Sequence, residues 1–569
     1  MKNITLAYNF PKTWINRIGL AGAKVYVNGN DVLTFSKSKY IDPEVGMNGM
    51  SRGIDGWPML KSWRGGINVQ FLIEKVMKFF KKIGLLVIGG LFAAGCGNNF
   101  LDIKPTGSVP VDKDMIRTNA QLRSAVNGAY TYLEYYRYSS MLDGDVMGDD
   151  LQSCYGNYRM ELFYDLTQRS VNYTNMTLWS RLYSTAYDIN TVLNQVQYIE
   201  NQNAETEAMV AELRFIRALV HWDASLRYGP LPSNLGKGKI KEDALGVMIT
   251  DKLPEDIQGM YYRDKVSDVF AFMIREMEEC VDKLPAEHRN GYLNYWAGRM
   301  FMARLYLYTE QWDKAFQCAK EVIDDGGYSL YSQEQYVKAW QQTYTSESIF
   351  EMPTTESDNG SWDGLSYFVS PNGYWSVMAS LEFMQLRNSD PKDVRFGVVQ
   401  YGWWDWLPWE DNDWDECYFI SGKYPGRDGN PLVCNPKIFR LSEAYLIAAE
   451  AALRGSEGVR TGSYYLSELR RNRTTTDPDK YDAGYDLDDV LYERRLELLG
   501  EGHRAFDLWR NQRPVVRYDG SRTFHWCPRE LDEIAFDDHR ILLPIAVREL
   551  ELMSAEDRAT QQNPGYGLY

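Results

Sequence analysis

Residues 83–94 run Ile-Gly-Leu-Leu-Val-Ile-Gly-Gly-Leu-Phe-Ala-Ala, the one strongly apolar stretch of the chain, and Lys78, Lys81 and Lys82 stand just before it. A helix needs about 20 apolar residues to cross a bilayer core, so this stretch is too short to span. Basic residues, a short apolar run and the small residues Ala93, Ala94 and Gly95 after it compose a secretory signal. Such signals begin polypeptides, yet this one is interior. It divides the sequence into 1–76, 77–95 and 96–569, and Met77 is placed to start an ordinary signal. Charge follows the same division: residues 1–95 hold 13 Lys+Arg and 5 Asp+Glu, the remainder 49 and 73. So acidic a balance argues against nucleic acid, whose phosphates need clustered Lys and Arg.

Residues 4–10, 24–28, 31–35 and 63–71 alternate apolar and polar side chains, the half-lipid, half-lumen pattern of outer-membrane barrel strands. About eight strands are the fewest that close such a barrel, more than this segment can supply. In Val25-Tyr-Val-Asn-Gly-Asn-Asp-Val-Leu-Thr-Phe35, Tyr40-Ile-Asp-Pro-Glu44 and the terminal Phe71 it resembles the last strands of a SusC-type TonB-dependent transporter. That resemblance implies that 1–76 is the tail of one gene joined to the start of the next, a short stray β segment. Residues 77–95 followed by Cys96 resemble a bacterial lipoprotein signal, which implies that Cys96 is lipidated. Several acyl chains on one cysteine meet the requirement of stable attachment for more than one anchor.

Past Cys96 the period becomes helical. Leu122, Ala125, Val126, Ala129 and Leu133 recur at i, i+3, i+4 and i+7, and residues 211–222 behave alike before Gly229-Pro230. Across 297–323 small and large apolar residues alternate over two helices: Ala297, Ala303, Leu305 and Tyr306, then Trp312, Ala315, Phe316 and Ala319. This small-against-large placement resembles a tetratricopeptide helix pair. Residues 438–453 open another pair, continued by 464–473. A mainly α body of helix pairs is expected, interrupted by a long irregular insertion at 353–424.

The blocks Phe100-Leu-Asp-Ile-Lys-Pro105, Glu212-Leu-Arg-Phe-Ile-Arg-Ala218, Tyr228-Gly-Pro-Leu-Pro232, Arg440-Leu-Ser-Glu-Ala-Tyr-Leu446, the run from Glu493-Arg-Arg to Asp507-Leu508, Leu543-Pro-Ile545 and Gln562-Asn-Pro-Gly-Tyr566 stand in one order. In them residues 96–569 resemble the SusD/RagB family of nutrient-binding lipoproteins. The resemblance implies a lipoprotein anchored through Cys96 in the outer membrane and facing the cell surface. Such a protein captures an oligosaccharide and passes it to a SusC-like TonB-dependent transporter, with no nucleic acid and no cofactor involved. A peptide ligand, as in the RagB branch, is the alternative within the same fold.

Flat aromatic rings are unusually many: 17 Trp, 40 Tyr and 22 Phe, 14% of the chain. Seven of those Trp fall in 353–424, a stretch rich in Gly, Asn and Asp, and long irregular segments in compact domains are usually functional. Tyr401-Gly-Trp-Trp-Asp-Trp-Leu-Pro-Trp409 cannot bury every ring, because successive side chains point different ways. Rings stack on the C–H faces of sugars while Asp and Asn meet hydroxyls. The expected ligand surface comprises Trp362, Tyr367, Tyr374, Trp375, Trp403, Trp404, Trp406 and Trp409, with Asp149, Tyr155 and Tyr158 from a second aromatic-acidic stretch.

The rival chemistries are thin. Five His show no metal-ligand spacing, and Asp411-Asn-Asp-Trp-Asp-Glu416 lacks the Gly and Glu of a Ca²⁺ loop, so a solvated acidic run is the expectation. Glu501-Gly-His-Arg504 looks like an acid/base pair, but it lies in a block where Arg494, Arg495, Glu497 and Asp507 are expected to tie helices together. A glycosidase would need two carboxyls about 5–9.5 Å apart, for which Asp405 and Glu410 are the pair to test. Cys417 and Cys434 could close a loop, whereas Cys280 and Cys318 read as core. A purely structural adaptor would bury the Trp cluster.

Overall fold

The computed structural model of the chain describes residues 3–15, 20–30, 62–71, 115–153, 159–256, 259–370, 372–374, 376–402, 417–517 and 531–567. These fall into two units, one within residues 1–111 and one within 112–569.

In the first unit β1 (Asn3–Asn9), β2 (Leu20–Asn30) and β3 (Ser62–Phe71) form an antiparallel meander in that order. Leu6 faces Val27, and Val25 faces Ile67. Neither face is covered: successive residues Val25, Tyr26 and Val27 point to opposite sides and all are exposed, as are Leu6, Trp63 and Ile67. The expected strand at 31–35, the signal 77–95 and Cys96 lie outside the described residues.

The second unit is helical. Thr118 and Gln121 form a capping box that starts α1 (Asn119–Ala129), whose Leu122 and Val126 are fully buried. After α2 (Tyr173–Gln195), Asn203 caps α3 (Ala204–Tyr228), which is buried on almost every side from Ala211 onward and so forms the spine. Then follow α4 (Val266–Cys280), α5 (Tyr295–Tyr308), α6 (Trp312–Asp325), α7 (Leu441–Arg454), α8 (Gly458–Arg471), α9 (Leu487–Glu497) and α10 (Arg504–Arg510). Each of α2 to α4 packs on its neighbour in the chain; α5 packs on α6, α6 on α7, and α7 on α8. Small residues set these approaches: a Cβ on Gly298 of α5 would lie 2.8 Å from a Val281 methyl.

Short strands punctuate the body, among them β4 (Leu151–Ser153), β5 (Ser348–Glu351), β6 (Val377–Ala379), β7 (Gln400–Gly402), β8 (Cys417–Phe419) and β9 (Lys437–Arg440). The helix expected from 438 begins at Leu441, because residues 437–440 pair with β5 and Arg440 holds extended angles (φ −128°, ψ 148°). The insertion is also less irregular than expected, carrying helices Leu365–Val369 and Leu381–Ser389 between its strands.

Beneath the insertion lies a layer of buried ion pairs. Arg440 donates to Glu347 (3.0 Å), Glu497 (3.0 Å) and Glu501 (2.6 and 2.9 Å). Arg473 donates to Glu347 (2.6 Å) and Glu497 (2.8 Å), and Arg395 pairs with Asp393 (2.6 Å) and Glu493 (2.7 Å). Lys423 reaches Glu501 (2.7 Å) and the Glu497 carbonyl (2.9 Å). Burial alone would raise the Glu497 carboxyl, but Arg473 and Arg440 outweigh it and hold the group well below its usual range. Glu501 is held down to about 2 by Arg440 and Lys423 against the same burial. Arg395 precedes β7 and Lys423 follows β8, so both ends of that hairpin are bolted to α9 and the turn after it.

Candidate functional site

The sequence-selected stretches come from adjacent strands. β4 pairs antiparallel with β6, placing Ser153 opposite Val377, and β7 pairs with β8 through Gly402 and Cys417. β6 also lies beside β8. The segments that follow β4, precede β6 and join β7 to β8 therefore leave neighbouring strands.

Trp362 is 60% exposed on a turn, Ser361–Asp363, and its ring centroid is 5.8 Å from Tyr367. Tyr367 meets the edge of Tyr374 at 5.0 Å, and Tyr374 meets Phe368 at 6.4 Å. The guanidinium of Arg159 covers a face of Tyr374 at 3.5 Å and donates through Nη1 to Asp363 Oδ1 at 2.6 Å. Tyr401, 49% exposed at the foot of the β7–β8 hairpin, stands edge-on to Tyr418 at 5.8 Å. The result is an aromatic ledge in which Trp362 offers open ring surface and Tyr367 and Tyr374 are half-buried behind it, while Tyr401 and Tyr418 form a separate ring pair on β7 and β8.

Of the expected ligand residues, Trp362, Tyr367 and Tyr374 are thus brought together. Trp375, Trp403, Trp404, Trp406, Trp409, Tyr155 and Tyr158 lie outside the described residues, as do Asp405, Glu410 and the 411–416 run. Asp149 is a correction. It is 5% exposed and receives two bonds from Arg504, at 2.6 and 2.9 Å, so it anchors the loop before β4 to α10 where an open acid was expected. Asp150 beside it accepts from Arg495 at 2.5 Å. Sequence reading missed Arg159, Asp363 and Tyr418; the ion pair of the first two joins positions 204 residues apart.

The acid/base reading of residues 501–504 also yields. Glu501 is held by Arg440 and Lys423, and burial lowers the His503 imidazole to about 4, so His503 stays neutral against Glu443 and Asp507. Arg494 donates to Asp507 at 2.7 Å, the helix-tying role expected of that block. Among the described residues no group of His, Cys, Asp or Glu is arranged to hold a metal ion. Cys434 carries a free thiol, so the Cys417–Cys434 link is not formed; Cys280 and Cys318 are free and buried, as core residues.

A cleft of about 1210 Å³ lies elsewhere, between the Gly229–Leu245 region and the C-terminal tail. Its central polar groups are committed to the chain itself. Arg263 donates to the carbonyls of Tyr228, Leu245, Gly246 and Gln561 and to Asn563, and Arg540 pairs with Asp538. The ledge, where the Trp362 ring and the Asp363 carboxylate are exposed, is therefore the candidate site.

Stacked helix pairs that carry a loop-borne aromatic ledge define a class of helical binding proteins. The chain is similar to a solved SusD superfamily protein from Bacteroides vulgatus: 30% identity, TM-score 0.71, over 79% of this chain and 100% of that one. A SusD-like protein of Bacteroides ovatus is 23% identical over 76% of this chain and 83% of its own length. Surface glycan-binding protein A from Bacteroides uniformis shares the fold at 21% identity and TM-score 0.61, over 78% of this chain and 99% of that one. A SusD family profile matches residues 429–566, and a SusD-like profile described as starch-binding associating with outer membrane matches 99–307. The chain belongs to the SusD family.

Proposed function

We propose that residues 96–569 act as an outer-membrane lipoprotein that captures an oligosaccharide on the ledge and hands it to a SusC-like TonB-dependent transporter, by binding alone. The observation that carries this reading is the ledge itself. Trp362 keeps open ring surface on a turn held by the buried Arg137 through Asp358, a preorganised arrangement that suits the flat C–H faces of sugars. The names of relatives support it, among them the surface glycan-binding protein and the starch-binding profile. The carboxylates of the 493–507 block that a hydrolase could have recruited serve as structural partners of arginine. Cys96 is the proposed lipid site, testable by the mass of its modified peptide. The meander with both faces open supports reading residues 1–76 as a fragment of a larger barrel sheet.

Calorimetric titration against neutral oligosaccharides and peptides tests the function. Saccharide binding should weaken about tenfold in Trp362→Ala, which corresponds to about 1.4 kcal/mol. The thermal midpoint should hold and the sugar should be recovered uncut. Binding of peptides alone, or cleavage of the sugar, would overturn the reading.

A further inference from the structure

We infer that Arg159 and Asp363 form the hydroxyl-reading pair of the ledge and set it for uncharged sugars, an inference that rests on the glycan-capture reading above. The two side chains come from different loops and meet at 2.6 Å, with the exposed Trp362 next to Asp363 in the chain.

The turn that presents them is fixed. Arg137, buried, donates two bonds to Asp358, at 2.6 and 3.0 Å. Asn359 Oδ1 accepts from the Ser361 amide at 2.8 Å, and Ser361 itself sits at φ +51°, a left-handed conformation that costs a serine free energy. Gly360 crosses Gly364 so closely that a Cβ there would lie 2.5 Å from the Gly364 Cα. Trp362 and Asp363 are thus held in place before any ligand arrives.

Arg159 is fixed in plane by stacking on Tyr374. A guanidinium has five N–H donors in a planar fork, and among the described residues one of its nitrogens, Nη1, is engaged, by Asp363 Oδ1. Asp363 keeps its second oxygen, and its side chain is 66% exposed. A planar donor fork beside a carboxylate acceptor matches two neighbouring hydroxyls on a sugar ring, one accepting from Arg159 and one donating to Asp363. Trp362, next to Asp363 in the chain and exposed, supplies a stacking face beside the pair.

The charge balance sets the preference. Arg159 is neutralised by Asp363 and Arg137 by Asp358, so the turn offers no surplus cation. A carboxylate or sulfate on the sugar would meet a pair whose charges already cancel, so it would lose its hydration and find no surplus cation in return.

The test titrates the full chain with maltohexaose, laminarihexaose, cellohexaose and xylohexaose, and with hexagalacturonate, in wild type and in Arg159→Met, Arg159→Lys and Asp363→Asn. Wild type should bind at least one neutral hexasaccharide ten times or more tightly than the galacturonate. Arg159→Met should lose at least tenfold of that affinity, and Arg159→Lys should fail to restore it for want of a planar fork. Asp363→Asn, which frees the cation, should shift the neutral-to-uronate ratio at least fivefold toward the uronate. A merely structural role would not move that ratio. Unchanged affinities and ratio in the variants, or a wild-type preference for galacturonate, would overturn the inference and leave glycan capture standing. Failure of every saccharide to bind wild type would overturn both.

Discussion

Replacing Glu497 by Gln tests whether the buried ion layer holds the site loops. The carboxylate is fully buried and accepts three bonds: from Arg440 Nη1 at 3.0 Å, Arg473 Nη2 at 3.1 Å and Arg473 Nε at 2.8 Å. The amide keeps the shape but removes the charge and turns one acceptor into a donor facing a guanidinium. Breaking a buried pair from one side costs about 3–5 kcal/mol. With unfolding entropy of about 2.1 cal/mol/K per residue, the helical unit's roughly 450 residues give about 1 kcal/mol/K, so the midpoint should fall by about 3–5 °C. Calorimetry at neutral pH reads this directly. The pH dependence supplies a second reading. Because the folded Glu497 titrates below its unfolded value, its contribution is fully present above about pH 4.5 and is lost as pH falls toward the folded pKa. Glu501, held down to about 2, loses its share in the window from about 4.5 to about 2. Wild type should therefore lose stability on acidification faster than Glu497→Gln, and the two curves should converge. A drop under 1 °C at neutral pH, or curves that stay parallel into acid, would refute the reasoning.

Two further outcomes follow from the packing. Gly298→Ala should destabilise by up to about 2 kcal/mol, because overpacking against Val281 and Leu284, about 1–3 kcal/mol, outweighs the roughly 1 kcal/mol that alanine gains in a helix; a raised melting midpoint would count against that contact. Cys280, Cys318 and Cys434 should resist thiol reagents until the chain unfolds, since burial pushes their thiols up to about 12, 11 and 11; rapid labelling of any of the three at pH 8 in the folded protein would contradict their placement.

The helices were legible because their burial is periodic. Leu122 and Val126 declare α1, and the alternation of Ala and large side chains declares α5 and α6, all from neighbours within a few residues. What the sequence hid was settled at long range. Ile438 and Phe439 read as the first turn of α7, yet a strand more than 80 residues earlier claims their backbone. Asp149 and Asp150 look like solvent-facing acids beside tyrosines, and their arginine partners lie some 345–355 residues onward. Trp362 was visible as a ring in a Gly- and Asn-rich stretch. Arg159 was not, because a lone arginine carries no local sign of the tyrosine and aspartate it will join.

Segment 493–504 fastens the strands around the site from one side: Glu493 through Arg395, Arg495 through Asp150, Glu497 and Glu501 through Lys423, and Arg504 through Asp149. The loops that meet a ligand contribute little to that anchorage. Evolution can then rewrite the rim, exchanging rings, carboxylates or whole turns, while the foundation goes on folding as before. The same separation makes the scaffold a host for grafting: a new recognition surface can be installed between β6 and β8 provided that Arg395 and Lys423 keep their acidic seats.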